Sequence, residues 1–568
     1  MSSSTASSTS AESRERRKVI LASSLGTMFE WYDFYLYGSL STVIAKQFFS
    51  GVNPTASFIF ALLAFAAGFV VRPFGSLLFG RLGDMSGRKH TFLITIVLMG
   101  LPTFIVGLLP SYASVGIAAP IMLIALRLLQ GLAVGGEYGG AVTYVAEYST
   151  PSVRGFNTSW IQTTGSGGLL LSLFVILGVR TLIGEAQFMA WGWRVPFLFS
   201  IALLGVSMWI RLKLKESPEF EKMQQKGAQS KAPLRDTFGN RRNAMMVLFS
   251  LLGCTAGLGV VAYTSQFYIQ FFLLQTLKVD GRIANEVLAL SLVIGLPFYV
   301  FFGWLSDRIG RKPVILTGCL LAALTYFPIY KSIAHYANPQ LEHARAAAPV
   351  ELHATPESCS VQFNPVGTAA FTTSCDSAKA VLARSSVPYT TVVQPAGAPA
   401  SIHIGGQVIP AVDGAKLSEA DFATQSSALN TRVTQALAAS GYPITAVSAD
   451  VNRPMLILLM TVLIIYLTMV YSPAAAWLVE LFPPQVRYTA TSLPYNIGNG
   501  WFGGFMPATA FAMVAATGDI FYGLWYPVVV ASCTFIIGLF FLPETRFNSG
   551  AEVPSAHARS RAVSNSAG

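Results

Sequence analysis

Long apolar stretches recur along the chain, each about as long as a membrane-crossing helix and each bounded by short polar segments. Ser57–Leu78, Phe92–Leu109, Met455–Val470 and Phe521–Leu542 are examples. A helix of about 20 mostly apolar residues crosses the hydrocarbon core of a bilayer. Apolar runs, Gly/Pro punctuation and loop charge predict spans near 19–44, 55–79, 90–110, 117–147, 155–181 and 192–212. Six more are predicted near 243–277, 285–304, 313–335, 453–480, 489–517 and 521–542. The fold class expected is an all-α membrane protein of twelve transmembrane helices.

One stretch breaks the pattern. Tyr336–Asn452 is too polar and too rich in Ala, Ser, Thr and Pro to cross a membrane. Within it Val387–Val393 and Ile402–Ile409 have strand character, and Ser418–Ser440 has helical spacing, with Phe422, Leu429, Val433 and Leu437 on one face and a stop at Gly441. The expectation is a small extracytoplasmic α+β insertion between spans 9 and 10.

Composition sharpens the class. Only 11% of the 568 residues are charged and 53% are hydrophobic, against about 25% charged in soluble domains. The formal net charge of +11 raises the question of nucleic acid. However, the basic residues crowd alternate loops: Arg14–Lys18, Arg81–Lys89, Arg211–Arg242, Arg308–Lys312, Arg487 and Arg546. That is the positive-inside pattern, so the basic loops and both termini are assigned to the cytoplasm and no nucleic-acid partner is expected. Cys254, Cys319 and Cys533 fall in spans. Cys359 and Cys375 fall in the insertion, where an oxidising compartment permits a disulfide; two free thiols are the alternative. No His stands at ligand spacing beside them, so neither a metal nor a cofactor is expected.

The two halves repeat. Gly80-x-x-x-Asp84-x-x-Gly87-Arg88-Lys89 follows span 2, and Gly303-x-x-x-Asp307-x-x-Gly310-Arg311-Lys312 follows span 8. Glu147 precedes Arg154 by the same interval as Glu480 precedes Arg487, and Lys215-Glu216-Ser217-Pro218 matches Pro543-Glu544-Thr545-Arg546. The first pair of motifs is offset by 223 residues (84 to 307) and the second by 333 (147 to 480). The jump places the insertion between Lys312 and Glu480. The organisation predicted is a disordered cytoplasmic tail (1–18), an N-terminal six-helix bundle (19–212), a cytoplasmic linker (213–242), a C-terminal six-helix bundle (243–335 and 453–545), the insertion (336–452) and a cytoplasmic tail (546–568).

The Gly80–Lys89 and Gly303–Lys312 segments resemble the signature of the major facilitator superfamily. Phe29-Glu30-Trp31-Tyr32-Asp33-Phe34, Leu129-Gln130-Gly131 with Gly135-Gly136-Glu137-Tyr138-Gly139-Gly140, and Trp191-Gly192-Trp193-Arg194-Val195-Pro196-Phe197 resemble its metabolite:proton symporter family. That family includes permeases for proline and betaine, α-ketoglutarate, shikimate and citrate-like acids. The resemblance covers nearly everything from Ile20 to Thr545 except the insertion, where such proteins usually have a short loop. It implies a latch between the halves made by Asp84, Arg88 and Lys89 with Asp307, Arg311 and Lys312. Glu147, Arg154, Glu480 and Arg487 are assigned to the same cytoplasmic gate.

Charged residues inside spans are costly and mark candidate function. Glu30 and Asp33 stand at i, i+3 on one face of span 1 and are candidate proton carriers, with a structural ion pair or an interfacial acid as the alternative. Arg72 lies about 12 Å along span 2 from Gly80, able to bind a substrate carboxylate or to pair with an acid such as Asp33. Arg127-x-x-x-Gly131-x-x-x-Gly135 resembles the superfamily's Arg-Gly motif, which implies proton coupling by Arg127. Glu137, seven residues beyond Gln130, shares its face. Tyr263, Gln266 and Tyr268 in span 7 and Asn496 and Asn499 in span 11 are cavity-wall candidates.

The expected function is proton-coupled symport of a small organic acid or zwitterion, by a monomer in the bacterial inner membrane. An uncoupled facilitator or exporter on the same fold, and a membrane-embedded solute receptor, are the alternatives. No Gly-rich phosphate loop, nucleophile elbow or zincin motif supports an ATP-driven pump or an enzyme.

Overall fold

Small residues decide how closely the helices approach. In the computed structural model, a methyl group at Gly131 would overlap the carbonyl of Gly68, one at Gly135 the carbonyl of Arg72, and one at Gly75 the carbonyl of Leu132. The second and fourth long helices therefore pack backbone to backbone, as glycines allow in apolar surroundings. In the second half Gly259 and Gly498 allow the same close approach between the helix Arg241–Thr276 and the segment Asn496–Gly503. The structure describes residues 3–50, 54–228, 230–355, 359–360, 372–385, 387–395 and 397–546.

The first half is built from α1 (Ser3–Ser39), α2 (Pro54–Ser86), α3 (Arg88–Leu108), α4 (Ala118–Glu147), α5 (Arg154–Ile183) and α6 (Arg194–Leu212). The second half has α7 (Arg241–Thr276), α8 (Gly281–Ile309), α9 (Arg311–Ala337) and, beyond the polar stretch 336–452, α12 (Arg453–Leu481). It closes with α13 (Arg487–Tyr495), α14 (Met506–Thr517) and α15 (Trp525–Phe541). Among the described residues nine helices are long and apolar enough to cross a membrane. α1 begins at Ser3, through the segment expected to be a disordered tail. Its Ala, Glu, Arg and Lys residues are good helix formers, which continue the helix beyond its apolar part.

Several helices are locally wide. Among the described residues π-helical turns lie at Phe188–Gly192 before α6, at Leu251–Thr255, Thr264–Tyr268 and Phe272–Thr276 in α7, and at Asn496–Gly503 after α13. Such turns collect at functional sites. α2 turns into α3 at Gly87 (φ +107°), and α8 into α9 at Gly310 (φ +110°), a region that favours glycine.

In the stretch that breaks the apolar pattern, β1 (Val350–Ala354), α10 (Ser374–Ser385), β2 (Thr390–Val393), β3 (Ser401–Ile404), β4 (Gln407–Pro410) and α11 (Glu419–Ala439) follow one another. The sheet order is β2-β1-β3-β4, with β1 and β2 parallel and the other pairs antiparallel. Leu352, Ile402 and Ile404 are buried on one face together with Leu382, Leu429 and Val433. The run expected as one strand over 402–409 is instead a hairpin. Gly405 and Gly406 both take positive φ, and two such residues make the tight turn that reverses a strand. β1 carried no sequence signal strong enough to be expected.

Hydrogen bonds tie this region to the second half of the bundle. Asn338 Nδ2 donates to the Leu277 carbonyl and Ala446 N to that of Lys278, each at 2.9 Å; Tyr389 N donates to Gly518 O at 3.2 Å. Cys359 and Cys375 are joined as a disulfide with Cα atoms 5.1 Å apart. A crosslink over 16 residues is worth about 3 kcal/mol through the unfolded chain. A Cys375→Ser protein is therefore expected to lose trypsin resistance at Lys379, Lys416 and Arg432 while the long helices stay protected. Unchanged digestion would show that the crosslink does not hold this region.

Candidate functional site

Charges gather at the bundle end where α2 meets α3 and α8 meets α9. Asp84 at the end of α2 accepts hydrogen bonds from the first turn of α13, in the other half: Tyr488 N at 3.2 Å, Thr489 N at 3.0 Å and Thr489 Oγ1 at 2.8 Å. Asp307 at the end of α8 does the same for α5, accepting from Gly155 N at 2.9 Å and Phe156 N at 2.7 Å. Each carboxylate thus caps a helix of the opposite half, where the unpaired N–H groups and the helix dipole favour negative charge.

The surrounding charges repeat with the same two-fold relation. Arg88 lies 3.4 Å from Asp84 and 3.6 Å from Glu147, and donates to Pro484 O at 3.0 Å. Arg311 lies 2.5 Å from Asp307 and 3.4 Å from Glu480, and donates to Pro151 O at 3.4 Å. Glu147 pairs with Arg487 at 3.2 Å, and Glu480 with Arg154 at 3.2 Å. Eight of the ten residues assigned to the gate therefore meet across the halves. The other two, Lys89 and Lys312, bind carbonyls of Leu212 and Leu542 at helix ends within their own halves. Glu216 and Glu544 stand in the repeated segments Lys215–Pro218 and Pro543–Arg546. Glu216 accepts from Arg88 N at 3.1 Å and caps α3; Glu544 accepts from Arg311 N at 3.1 Å and caps α9. Glu219, which carried no signal, forms a further ion pair with Arg487.

A small cavity of about 20 Å³ lies between the halves, room for about one water molecule. Trp31, Tyr35, Tyr263, Phe267, Tyr299 and Tyr471 supply aromatic wall, and Gln162, Ser166, Gln266 and Asn499 supply polar groups; none of its lining residues is charged. Tyr35 Oη donates to Gln266 Oε1 at 3.3 Å, and Gln266 Nε2 to Ser166 Oγ at 3.2 Å, joining the halves across the cavity. Of the five wall candidates, Tyr263, Gln266 and Asn499 line it. Tyr268 is instead packed among Phe272, Tyr330 and Phe511. Asn496 donates to Gly135 O and Ser492 O, both at 2.8 Å, and so ties the halves rather than facing the cavity. Both sit in π-helical turns, Tyr268 in Thr264–Tyr268 and Asn496 in Asn496–Gly503, which rotate the faces away from a regular 3.6-residue count.

A second cavity, also about 20 Å³, lies within the first half and holds the charges. Asp33, Arg72 and Arg127 all line it, yet no ion pair within 4 Å joins Asp33 to either arginine. Arg127 Nη1 donates to Gln130 Oε1 at 2.8 Å, and Gln130 Nε2 to Thr103 Oγ1 at 2.7 Å. Arg127 lies over the ring of Tyr37, 3.5 Å from its centre, and Arg72 over Phe34 and Phe69 at 4.8 and 4.5 Å. Asp33 Oδ1, Arg72 Nε and Arg127 Nε are buried without a hydrogen-bond partner among the described residues. Buried polar atoms are usually hydrogen-bonded, so these three stand out among the groups lining the cavity. The Glu30 side chain lies outside what the structure describes. Glu137 is elsewhere: it pairs with Arg211 of α6 at 2.9 Å and accepts from Thr95 Oγ1 at 2.8 Å. Arg211, a basic residue at the end of an apolar run, was the available signal for that pair.

Two helical halves that meet at one charged end around a central cavity, with nine apolar helices long enough to cross a membrane among the described residues, define a multi-span membrane protein. A profile described as "Sugar (and other) transporter" matches residues 18–247. The chain is 36% identical to the alpha-ketoglutarate permease of Escherichia coli over 331 residues, 58% of this chain and 75% of that protein. It is 36% identical to the proline/betaine transporter of Salmonella typhimurium over 323 residues, 55% of this chain and 64% of the relative. The xylose transporter XylE from E. coli, in a partially occluded inward open conformation, superposes with a TM-score of 0.55 at 16% identity, over 95% of this chain and all of that one. The chain belongs to the major facilitator superfamily.

Proposed function

We propose that the protein is a secondary active transporter of the bacterial inner membrane, carrying a small zwitterion or organic acid together with a proton by alternating access. On this reading twelve spans form two six-helix halves (19–212; 243–335 with 453–545), joined by a cytoplasmic linker (213–242). Residues 336–452 form an extracytoplasmic α+β insertion, and the charged end and both termini face the cytoplasm. One chain supplies both walls of the cavity, which supports action as a monomer. The observation that carries the reading is the pair of caps, Asp84 on α13 and Asp307 on α5: a symmetric, breakable contact between two halves around a cavity too small for cargo until they part.

Asp33, Arg127 and Arg72 line the buried charged cavity and are the proposed proton-coupling set, with Glu30 on the same helix. Glu137 serves the α4–α6 contact. The central cavity favours a zwitterion with a cationic head over a dicarboxylate. Aromatic faces attract cations, and no guanidinium or ammonium lines it to hold two carboxylates.

The test is uptake of labelled glycine betaine, proline, α-ketoglutarate, shikimate and citrate into proteoliposomes, with and without an inward proton gradient. Gradient-driven accumulation of betaine or proline is expected. Equilibration without accumulation would make the protein a facilitator, binding without flux would make it a receptor, and accumulation of the dicarboxylate alone would overturn the cavity argument.

A further inference from the structure

Between the central cavity and the charged end, two tyrosines from opposite halves lie face to face. The rings of Tyr138 (α4) and Tyr495 (α13) have centroids 3.3 Å apart and planes 5° from parallel, and both are buried. Their depth follows from the helices that carry them. Tyr138 is nine residues from Glu147 and Tyr495 eight from Arg487, about 12–14 Å inside the charged end on either side. Around them the helices touch through backbone: Tyr488 Oη donates to Gly136 O at 2.7 Å and Asn496 Nδ2 to Gly135 O at 2.8 Å. The small residues Gly135, Gly136 and Gly139 leave room for this approach, since a methyl group at Gly139 would overlap Ser492.

What holds the rings is the cavity wall itself. Gln162 Nε2 donates to Tyr138 Oη at 2.7 Å, while Tyr471 Oη lies 3.2 Å from Tyr495 Oη. Tyr471 in turn donates to Asn499 Oδ1 at 2.9 Å. Gln162, Tyr471 and Asn499 all line the central cavity, so cargo bound there meets the groups that steady the stack.

We propose that the Tyr138–Tyr495 stack is the inner seal of the central cavity, the contact that must part for cargo to leave toward the charged end. The two tyrosines are positioning residues that act on access, separately from the charged latch about 12 Å further out. The inference rests on the transporter reading for its purpose, but not for its geometry.

The experiment uses the full chain in vesicles of both orientations, carrying Cys533→Ser and a reporter Gly165→Cys. Gly165 lines the cavity, and a Cβ there meets nothing closer than 3.8 Å. A membrane-impermeant maleimide is applied from one side at a time. Tyr138→Ala and Tyr495→Leu are expected to raise labelling from the charged-end side at least about tenfold, with labelling from the other side not raised. Tyr138→Phe, which keeps the ring, is expected to stay within about twofold of the parent. Labelling unchanged in a folded Tyr495→Leu protein, or raised equally from both sides, would overturn the seal. Uptake by the parent protein is a separate readout: side-specific opening with no flux of any tested solute keeps the seal and removes the transporter reading, whereas flux without opening does the reverse.

Discussion

An Asp33→Asn protein is expected to lose proton-driven accumulation while still exchanging its substrate. Asp33 and Arg127 line one buried cavity with Thr103 and Gln130, where Arg127 donates to Gln130 and Gln130 to Thr103, and among the described residues no ion pair joins Asp33 to Arg127. An acid so placed, with Oδ1 unpartnered, is available to take a proton, and Arg127 is available to replace that proton as its partner. Asparagine keeps the shape and removes the charge that changes. One proton entering down a gradient of one pH unit supplies about 1.4 kcal/mol, a tenfold accumulation. The variant should therefore fall from about tenfold accumulation to simple equilibration, with counterflow exchange retained within a few-fold. Uptake by the parent should fall as the outer pH rises, because the proton is a co-substrate, and the variant should be flat over the same range. Accumulation that survives the substitution would move the proton to another group. Loss of exchange along with accumulation would make Asp33 a structural acid.

The second large effect is expected at the charged end. Hydrogen bonds to a charged acceptor contribute about 1.5–3 kcal/mol, and Asp84 and Asp307 each accept two from the backbone of the opposite half. Asparagine at either site keeps one acceptor oxygen but loses the charge and the match to the helix dipole. About 1.5 kcal/mol lost per site gives roughly tenfold, and about 100-fold for the double variant. The two sites should add, because the cluster of Asp84, Arg88, Glu147 and Arg487 shares no residue with that of Asp307, Arg311, Glu480 and Arg154. Maleimide labelling of the Gly165→Cys reporter from the charged-end side measures the shift directly. If the double Asp→Asn protein labels no faster than the parent, the caps are not what holds that end shut.

These expectations depend unequally on sequence and on structure. Apolar length and loop charge are one-dimensional signals, and they were sufficient for nine of the spans, while the family came from the resemblance of motifs such as Gly80–Lys89 and Phe29–Phe34. Repeated spacing nominated Asp84, Asp307, Glu147 and Glu480, because a motif that recurs at equal intervals marks two sites related by the repeat. Such signals fail where local geometry departs from the regular period. Gly405 and Gly406 folded one expected strand into two, and the π-helical turns of α7 turned Tyr268 away from the cavity.

Apolar length and repeated spacing along the chain locate the helices and show which charged motifs recur in the two halves. Which groups meet follows from how the helices pack. Glu137 belongs to Arg211, Asp84 caps a helix of the other half, Arg72 lies over Phe34 and Phe69, and Tyr138 stacks on Tyr495. The physical reason lies in the bilayer. A helix surrounded by lipid on one side and apolar side chains on the other shows little hydrophobic contrast around its circumference, so the pattern along the chain locates the helix but not its rotation. Rotation is set by small residues and buried polar groups, whose partners lie tens to hundreds of positions away.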